Sequence, residues 1–352
     1  MRYRVSLSSL LGTDLPLIQA PMAGVQDSAL AIAVSRAGAL GSLPAAMLTP
    51  QVLAKELAAI AAASERPYNV NFFCHTAPQA GDSAEAAWRE ALAPYYREFD
   101  IDPAGIAAGP GRRPFDADAV QLLERFRPRV VSFHFGLPEP ALMQRLRSWG
   151  AILLSSATTV AEARWLQAQG VDAVIAQGLE AGGHRGHFLD QDLSLQMGTY
   201  ALLPQIARAV RVPVIAAGGI ADAAGVAAAM RLGAAGVQVG TAYLLCPESR
   251  TSAVHRAALA SEAAAHTALT NLYTGRPARG IVTRLMRELG PINTVAPPFP
   301  LATSAVAPLR AAAEAQGLGD FSPLWAGQNV SGCREVGAEA LTRELALGFS
   351  RE

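Results

Sequence analysis

Short apolar runs recur along the chain, each closed by a polar or glycine-bearing turn and followed by a stretch with helical spacing. They fall at residues 17–20, 39–43, 68–73, 129–133, 151–155, 173–176, 212–216 and 236–239. Runs of this length, apolar throughout rather than alternating, read as strands buried on both faces of a parallel sheet. The spacers carry helix punctuation. Asp27 stands where it can cap a helix over 27–36, and Thr49 followed by Pro50 opens another over 51–62. Gly170 and Gly233 follow helical stretches at 159–169 and 222–232, where a left-handed residue commonly ends a helix. Eight parallel strands joined by right-handed crossovers close on themselves, so the expected fold is α/β, a (β/α)8 TIM barrel. A doubly wound open sheet is the competing arrangement. It would place a Gly-x-Gly-x-x-Gly loop after the first strand, where this chain reads Ala20-Pro21-Met22-Ala23-Gly24.

Two regions fall outside this repeat, and the 352 residues exceed the roughly 250 of a plain barrel. An insertion at about 75–128 carries an amphipathic pattern near 84–97 and a Gly/Pro loop, AAGPGRRPF. The tail from about 247 reads as helical and includes GPINTVAPPFP. The expected organisation is a barrel over 1–247 and a smaller, mostly helical accessory region over 248–352, with a last helix near 337–347 lying back on the barrel wall. Both extra parts are expected over the barrel mouth, where they shape access.

Composition narrows the function classes. Hydrophobic residues make up 51% of the chain and charged residues 16%, and a formal net charge of zero removes the electrostatic footprint of nucleic-acid or acidic-membrane binding. Lys55 is the one lysine, so the arginines reflect a general bias and mark no phosphate site by themselves. Cys74, Cys246 and Cys333 form neither a CxxC pair nor a zinc spacing, and their odd count fits a reducing cytoplasm. The first residues hold no apolar leader, and no run reaches about 18 apolar residues. A cytoplasmic chain without metal or membrane span is expected, as a monomer or homodimer.

Active-site groups of such barrels gather at the C-terminal strand ends. Here those ends hold residues 19–22, Asn71, His134, Gln177, Gly218, Gly219, Gln238, Gly240 and Thr241. VIAAGGIAD and GVQVGTA follow the seventh and eighth strands, where phosphate sites of this fold lie. Glycine there lets backbone N–H groups approach a phosphate closely. In QGLEAGGHRGH, after the sixth strand, Gly182 and Gly183 precede His184, whose ordinary pKa of about 6.5 suits proton transfer or anion binding. The plain alternative is a surface histidine in a mobile loop, and the glycines and strand-end position favour function. His134, between Phe133 and Phe135, is balanced between core packing and a place in the site. His75 beside Cys74 lacks a third orienting group, Glu180 near Arg185 reads as solvated or paired, and His255 and His266 lie in expected tail helices without partners.

Taken in order, QAPMAGV, PYNVNFF, VSFHFGLP, QGLEAGGHRG, AAGGIAD, GVQVGTAYL and the late PLWAGQ resemble the nitronate monooxygenase family, from about residue 17 to 328. The resemblance implies an FMN-containing barrel that takes a small-molecule substrate and O2, oxidising alkyl nitronates to carbonyl compounds and nitrite. It implies flavin contacts at Ala20, Pro21, Met22, Asn71, Gln177, Gly182, Gly183, Gly218, Gly219, Gln238, Gly240, Thr241 and Gln328. It also implies that His184 is the active-site histidine, with His134 nearby. One departure stands out. Two tyrosines and a lysine are expected before the AGQ turn, and Phe299, Thr303 and Ala307 stand there instead. On sequence, the pocket lacks a positive charge for an anionic substrate and leaves room for a more apolar one. Relatives that reduce quinones with NADH, enoyl reductases of the same fold and a flavin-binding protein without turnover remain open readings.

Overall fold

The computed structural model describes residues 5–78, 82–106 and 112–349. Eight strands form the barrel: β1 (Leu17–Gln19), β2 (Gly41–Pro44), β3 (Tyr68–Phe73), β4 (Val130–His134), β5 (Ile152–Ala157), β6 (Ala173–Gln177), β7 (Val214–Ala217) and β8 (Gly236–Val239). Sequential strands from β2 to β8 pair in parallel, and β8 returns to β1 with Leu17 opposite Val237. A parallel bridge between Ile18 and Leu40 completes the ring. There the Leu40 N–H donates to Leu17 O at 2.9 Å, and the Gln19 N–H donates to Leu40 O at 3.0 Å.

Strand alternation sorts the apolar residues. Ile18, Leu40, Val130, Leu154, Ile175 and Ile215 fill the inside of the barrel, which the helix Leu7–Leu11 plugs with Leu7 and Leu11. Leu17, Val174, Val214 and Val237 face outward against the surrounding helices. The anticipated caps form: Asp27 accepts from the Ala29 N–H at 2.9 Å to start Ser28–Arg36, and Thr49 Oγ1 accepts from Val52 to start Pro50–Ala63. Gly170 and Gly233 adopt φ values of 86° and 102° just past their helices. Leu341 and Leu345 of the helix Ala338–Ala346 join the outer layer that holds Leu30, Val34 and Val226.

A second apolar cluster lies over the barrel mouth, built from two stretches far apart in sequence. Trp88, Leu92, Tyr95 and Tyr96 of the helix Asp82–Glu98 pack with Ala305, Leu309 and Phe321 around the helix Ala302–Ala315. The Tyr96 hydroxyl donates to Ala305 O at 2.6 Å, and the Trp88 indole N–H donates to Ala302 O at 3.3 Å. Both rings are fully buried with their polar atoms satisfied, which is the condition for large aromatics to stabilise a core. The tail is less helical than its alanine content implies. Thr267–Thr270 and Ala278–Ile281 pair antiparallel, and Gly183–His184 adds a third strand. TALT and ARGI are too short to reveal a period of two. The glycine-rich part of the expected 107–115 loop, residues 107–111, lies outside the described residues. Among the described residues, no helix is long and apolar enough to cross a membrane.

Candidate active site

The C-terminal strand ends open into a cavity with about 1360 Å³ of atom-free space, counting its mouth. The positions implicated by the family resemblance line it together, His184 and His134 included, with Gln328 the exception. Gln328 is exposed. Its backbone N–H docks on Glu180 O at 2.9 Å, which turns its side chain outward and leaves Gly327 and Asn329 facing the cavity.

Four glycine-bearing turns, at Gly182, Gly218–Gly219, Gly240 and Gly327, interlock around this space. Gly218 and Gly219 have φ values of 118° and 74°, conformations that L side chains resist. Asn329 Nδ2 holds the turn through Gly219 O at 3.0 Å. The Gly327 N–H donates to Thr241 Oγ1 at 2.9 Å, tying the AGQ turn to the turn after β8. Gly182 packs so closely on that turn that an added Cβ would lie 2.6 Å from Gly327 N. Backbone cannot yield as a flexible side-chain tip would. Gly182→Ala is therefore expected to force the two turns apart, at a stability loss on the order of 1–3 kcal/mol. Thermal melting would register it, and an unchanged melting temperature would rule out this contact as a constraint.

The His184 segment is tied down by hydrogen bonds, unlike the mobile surface loop of the alternative reading. Gly183 pairs with Arg279 and His184 with Ala278, and the Arg185 N–H donates to Pro277 O at 2.8 Å. Arg185, with no exposed surface, spends its guanidinium on Gln196 Oε1 at 2.7 Å, Gly178 O at 2.9 Å and Gln177 O at 3.0 Å. Gln177 is used on both ends of its amide, donating to His184 O at 3.0 Å and accepting from the Gly186 N–H at 2.7 Å. Glu180 is a helix cap: its carboxylate accepts from the Thr199 N–H at 2.8 Å, at the start of Thr199–Ala209.

His134 also holds this segment. Its Nε2–H donates to His184 O at 3.1 Å, so Nδ1 accepts from the Ser156 hydroxyl at 2.9 Å. Burial, with the nearby charges of Arg276 and Arg185, pushes its pKa down to about 3 and keeps the ring neutral. His184 lies against aromatic rings, 5.4 Å from Phe299 and 5.6 Å from Trp325 between centroids. Its Nε2 meets Thr274 Oγ1 at 2.9 Å. When the Thr274 hydroxyl donates to Arg276 O at 3.3 Å, it can accept from His184 Nε2–H, the arrangement that leaves a lone pair on Nδ1. Burial and the charge of Arg112 hold the His184 pKa well below its ordinary value. Burial therefore favours the neutral form of this imidazole at neutral pH.

Sequence reasoning passed over two further residues. Arg112 lines the cavity from the insertion, where it reads as part of a surface loop. His255, which looks like an ordinary helix residue, is buried against the cavity with Nε2 unpartnered. No local pattern marks either one. The Gln238 Oε1 is likewise buried and without a partner.

Residues 4–348 match the sequence model of the nitronate monooxygenase family. A nitronate monooxygenase of Pseudomonas aeruginosa is 42% identical over 342 residues, with 96% of each chain covered. One from Paraburkholderia phytofirmans is 41% identical over 345 residues, covering 97% of this chain and 93% of its own. Among solved structures, nitroalkane oxidase from Streptomyces ansochromogenes superposes with a TM-score of 0.87 at 39% identity, over 97% of this chain and 96% of that one. FabK from Thermotoga maritima is more distant, with a TM-score of 0.70 at 25% identity over 97% and 95%.

Proposed function

Because the chain belongs to the nitronate monooxygenase family, we propose that it holds FMN at the barrel mouth and oxidises alkyl nitronates, or their parent nitroalkanes, with O2 to carbonyl compounds and nitrite. The observation that carries this reading is a neutral, rigidly held His184 facing a cavity framed by glycine turns.

The residues present fit a flavin nucleotide. The left-handed Gly218–Gly219 turn and the Gly240–Thr241 turn offer backbone N–H groups for the phosphate, beyond β7 and β8. The buried, unpartnered Gln238 Oε1 is an acceptor awaiting a donor such as a ring N–H. An added Cβ at Gly183 would meet no atom within 4 Å, so this residue borders open space. Asn71, held to Ser132 Oγ at 3.0 Å, and residues 20–22 complete the cradle. Bound FMN would supply the electron acceptor that couples substrate oxidation to O2.

The chain's own groups do the rest. With a nitroalkane, His184 Nδ1 removes the α-proton, and the C–H electron pair moves onto the nitro oxygens to give the nitronate. Thr274 keeps the ring in the tautomer this requires. His134 and Gln177 are positioning residues that share the His184 carbonyl and fix the ring's backbone. Phe73, Phe135 and Phe299 form an apolar wall beside His184, suited to an alkyl chain and to the exclusion of water.

The test is to mix the flavin-loaded protein anaerobically with an alkyl nitronate and, separately, with NADH. Loss of the oxidised-flavin absorbance with nitronate is the expected result. Loss with NADH alone would overturn the assignment in favour of a reductase on the same site.

A further inference from the structure

We propose that Arg112 is the substrate-binding cation of this site, receiving the two oxygens of the nitronate. The inference rests on the function proposed above and names its substrate as an anion. The tail positions where the family resemblance implies a lysine carry the uncharged Phe299, Thr303 and Ala307, and burial favours the neutral form of His184. Neither attracts a negative charge. Arg112 is the only arginine or lysine among the described residues lining the cavity.

Its setting is built rather than accidental. The Arg112 backbone carbonyl accepts from His75 Nε2–H at 2.9 Å, which fixes where the residue enters the cavity wall. Its Nη1 donates to Thr303 Oγ1 at 3.3 Å, and its Cζ lies 5.3 Å from the centre of the Phe299 ring. His184 packs on the same ring at 5.4 Å. The base and the cation thus flank one aromatic side chain. Two of the three departing tail positions orient the arginine that takes over the missing charge.

No carboxylate among the described residues pairs with Arg112, and burial lowers its pKa only to about 10, so it stays charged at neutral pH. A partly desolvated guanidinium without a counterion is matched by a planar group with two oxygens on one atom. The other nearby arginine, Arg276, is already engaged by the carbonyls of His187 and Arg185 and stacks on Phe135 at 4.0 Å. The glycine turns expected to hold the phosphate stand after β7 and β8, across the mouth from the β3–β4 connection that carries Arg112.

The experiment uses the flavin-loaded enzyme with Arg112→Met, Arg112→Lys and Thr303→Val. Nitrate, a planar oxyanion that does not turn over, is titrated while the flavin spectrum is followed, and KM is measured for an alkyl nitronate. The methionine variant is expected to raise both the nitrate Kd and the nitronate KM about 10- to 100-fold, the range for losing charged hydrogen bonds. Lysine should recover part of this, and Thr303→Val should raise the nitronate KM by less. Wild-type constants in the methionine variant would overturn the proposal. Should that variant fail to retain flavin, wild-type constants in both the lysine and valine variants would do so. If the wild type oxidises no nitronate, the functional reading fails, while the nitrate titration still decides whether Arg112 holds an anion.

Discussion

Replacing His184 with alanine is expected to lower turnover of a neutral nitroalkane by at least about 10²-fold, the lower bound for a lost acid–base group, with bound flavin retained. The expectation follows from the tautomer: with Thr274 accepting from Nε2–H, the free lone pair sits on Nδ1, and the pKa is held low by burial and by Arg112. A preformed nitronate has no α-proton to lose, so the same variant should lose much less with that substrate. The split between the two substrates is the diagnostic measurement. Equal losses with both would remove His184 from proton transfer. A base with a depressed pKa is fully deprotonated at neutral pH, so kcat/KM for the nitroalkane should not titrate near 6.5, as an ordinary imidazole would.

The second large effect is on stability. Burial pushes His75, His187 and His255 down to about 4 and His134 to about 3. In the unfolded chain each regains a pKa of about 6.5. Stability is therefore complete above that value and is lost as pH falls through it, because the unfolded state takes up protons that the fold refuses. Each such group contributes about 1.4 kcal/mol per pH unit, and four together on the order of 5 kcal/mol per unit. Against a total of about 5–15 kcal/mol, a loss of this order predicts a marked fall in melting temperature below pH 6.5. Melting temperature measured from pH 8 to 4.5 would show the decline, and a flat profile to pH 5 would contradict it.

The barrel was legible because its strands are buried on both faces and so appear as unbroken apolar runs. Its helices carry capping residues that act locally, as at Asp27 and Thr49. The glycine turns were legible for a related reason: glycine is favoured where the backbone turns left-handed, as at Gly218 and Gly219. What stayed hidden depends on contacts between distant segments. The rigidity of His184 comes from a two-residue strand paired with Ala278 and Arg279 about ninety positions later, too short to show a pattern. The place of Arg112 is decided by Thr303 and Phe299, and nothing in its own loop reports that. Gln328 stands outside the cavity lining, and its backbone, which docks on Glu180, gives no sign of this in the sequence.

The cluster over the barrel mouth has a consequence for synthesis on the ribosome. Chains grow from the N-terminus, so all eight barrel strands emerge before Ala302–Ala315 exists. Until then Trp88, Leu92 and Tyr96 have no partner helix to cover them. Thr303, Phe299 and the strand that pins His184 arrive in the same late portion. The nascent protein can close its scaffold early, yet it acquires its chemistry only near the end of translation. An incomplete copy therefore leaves these large apolar side chains uncovered, the kind of surface that favours aggregation.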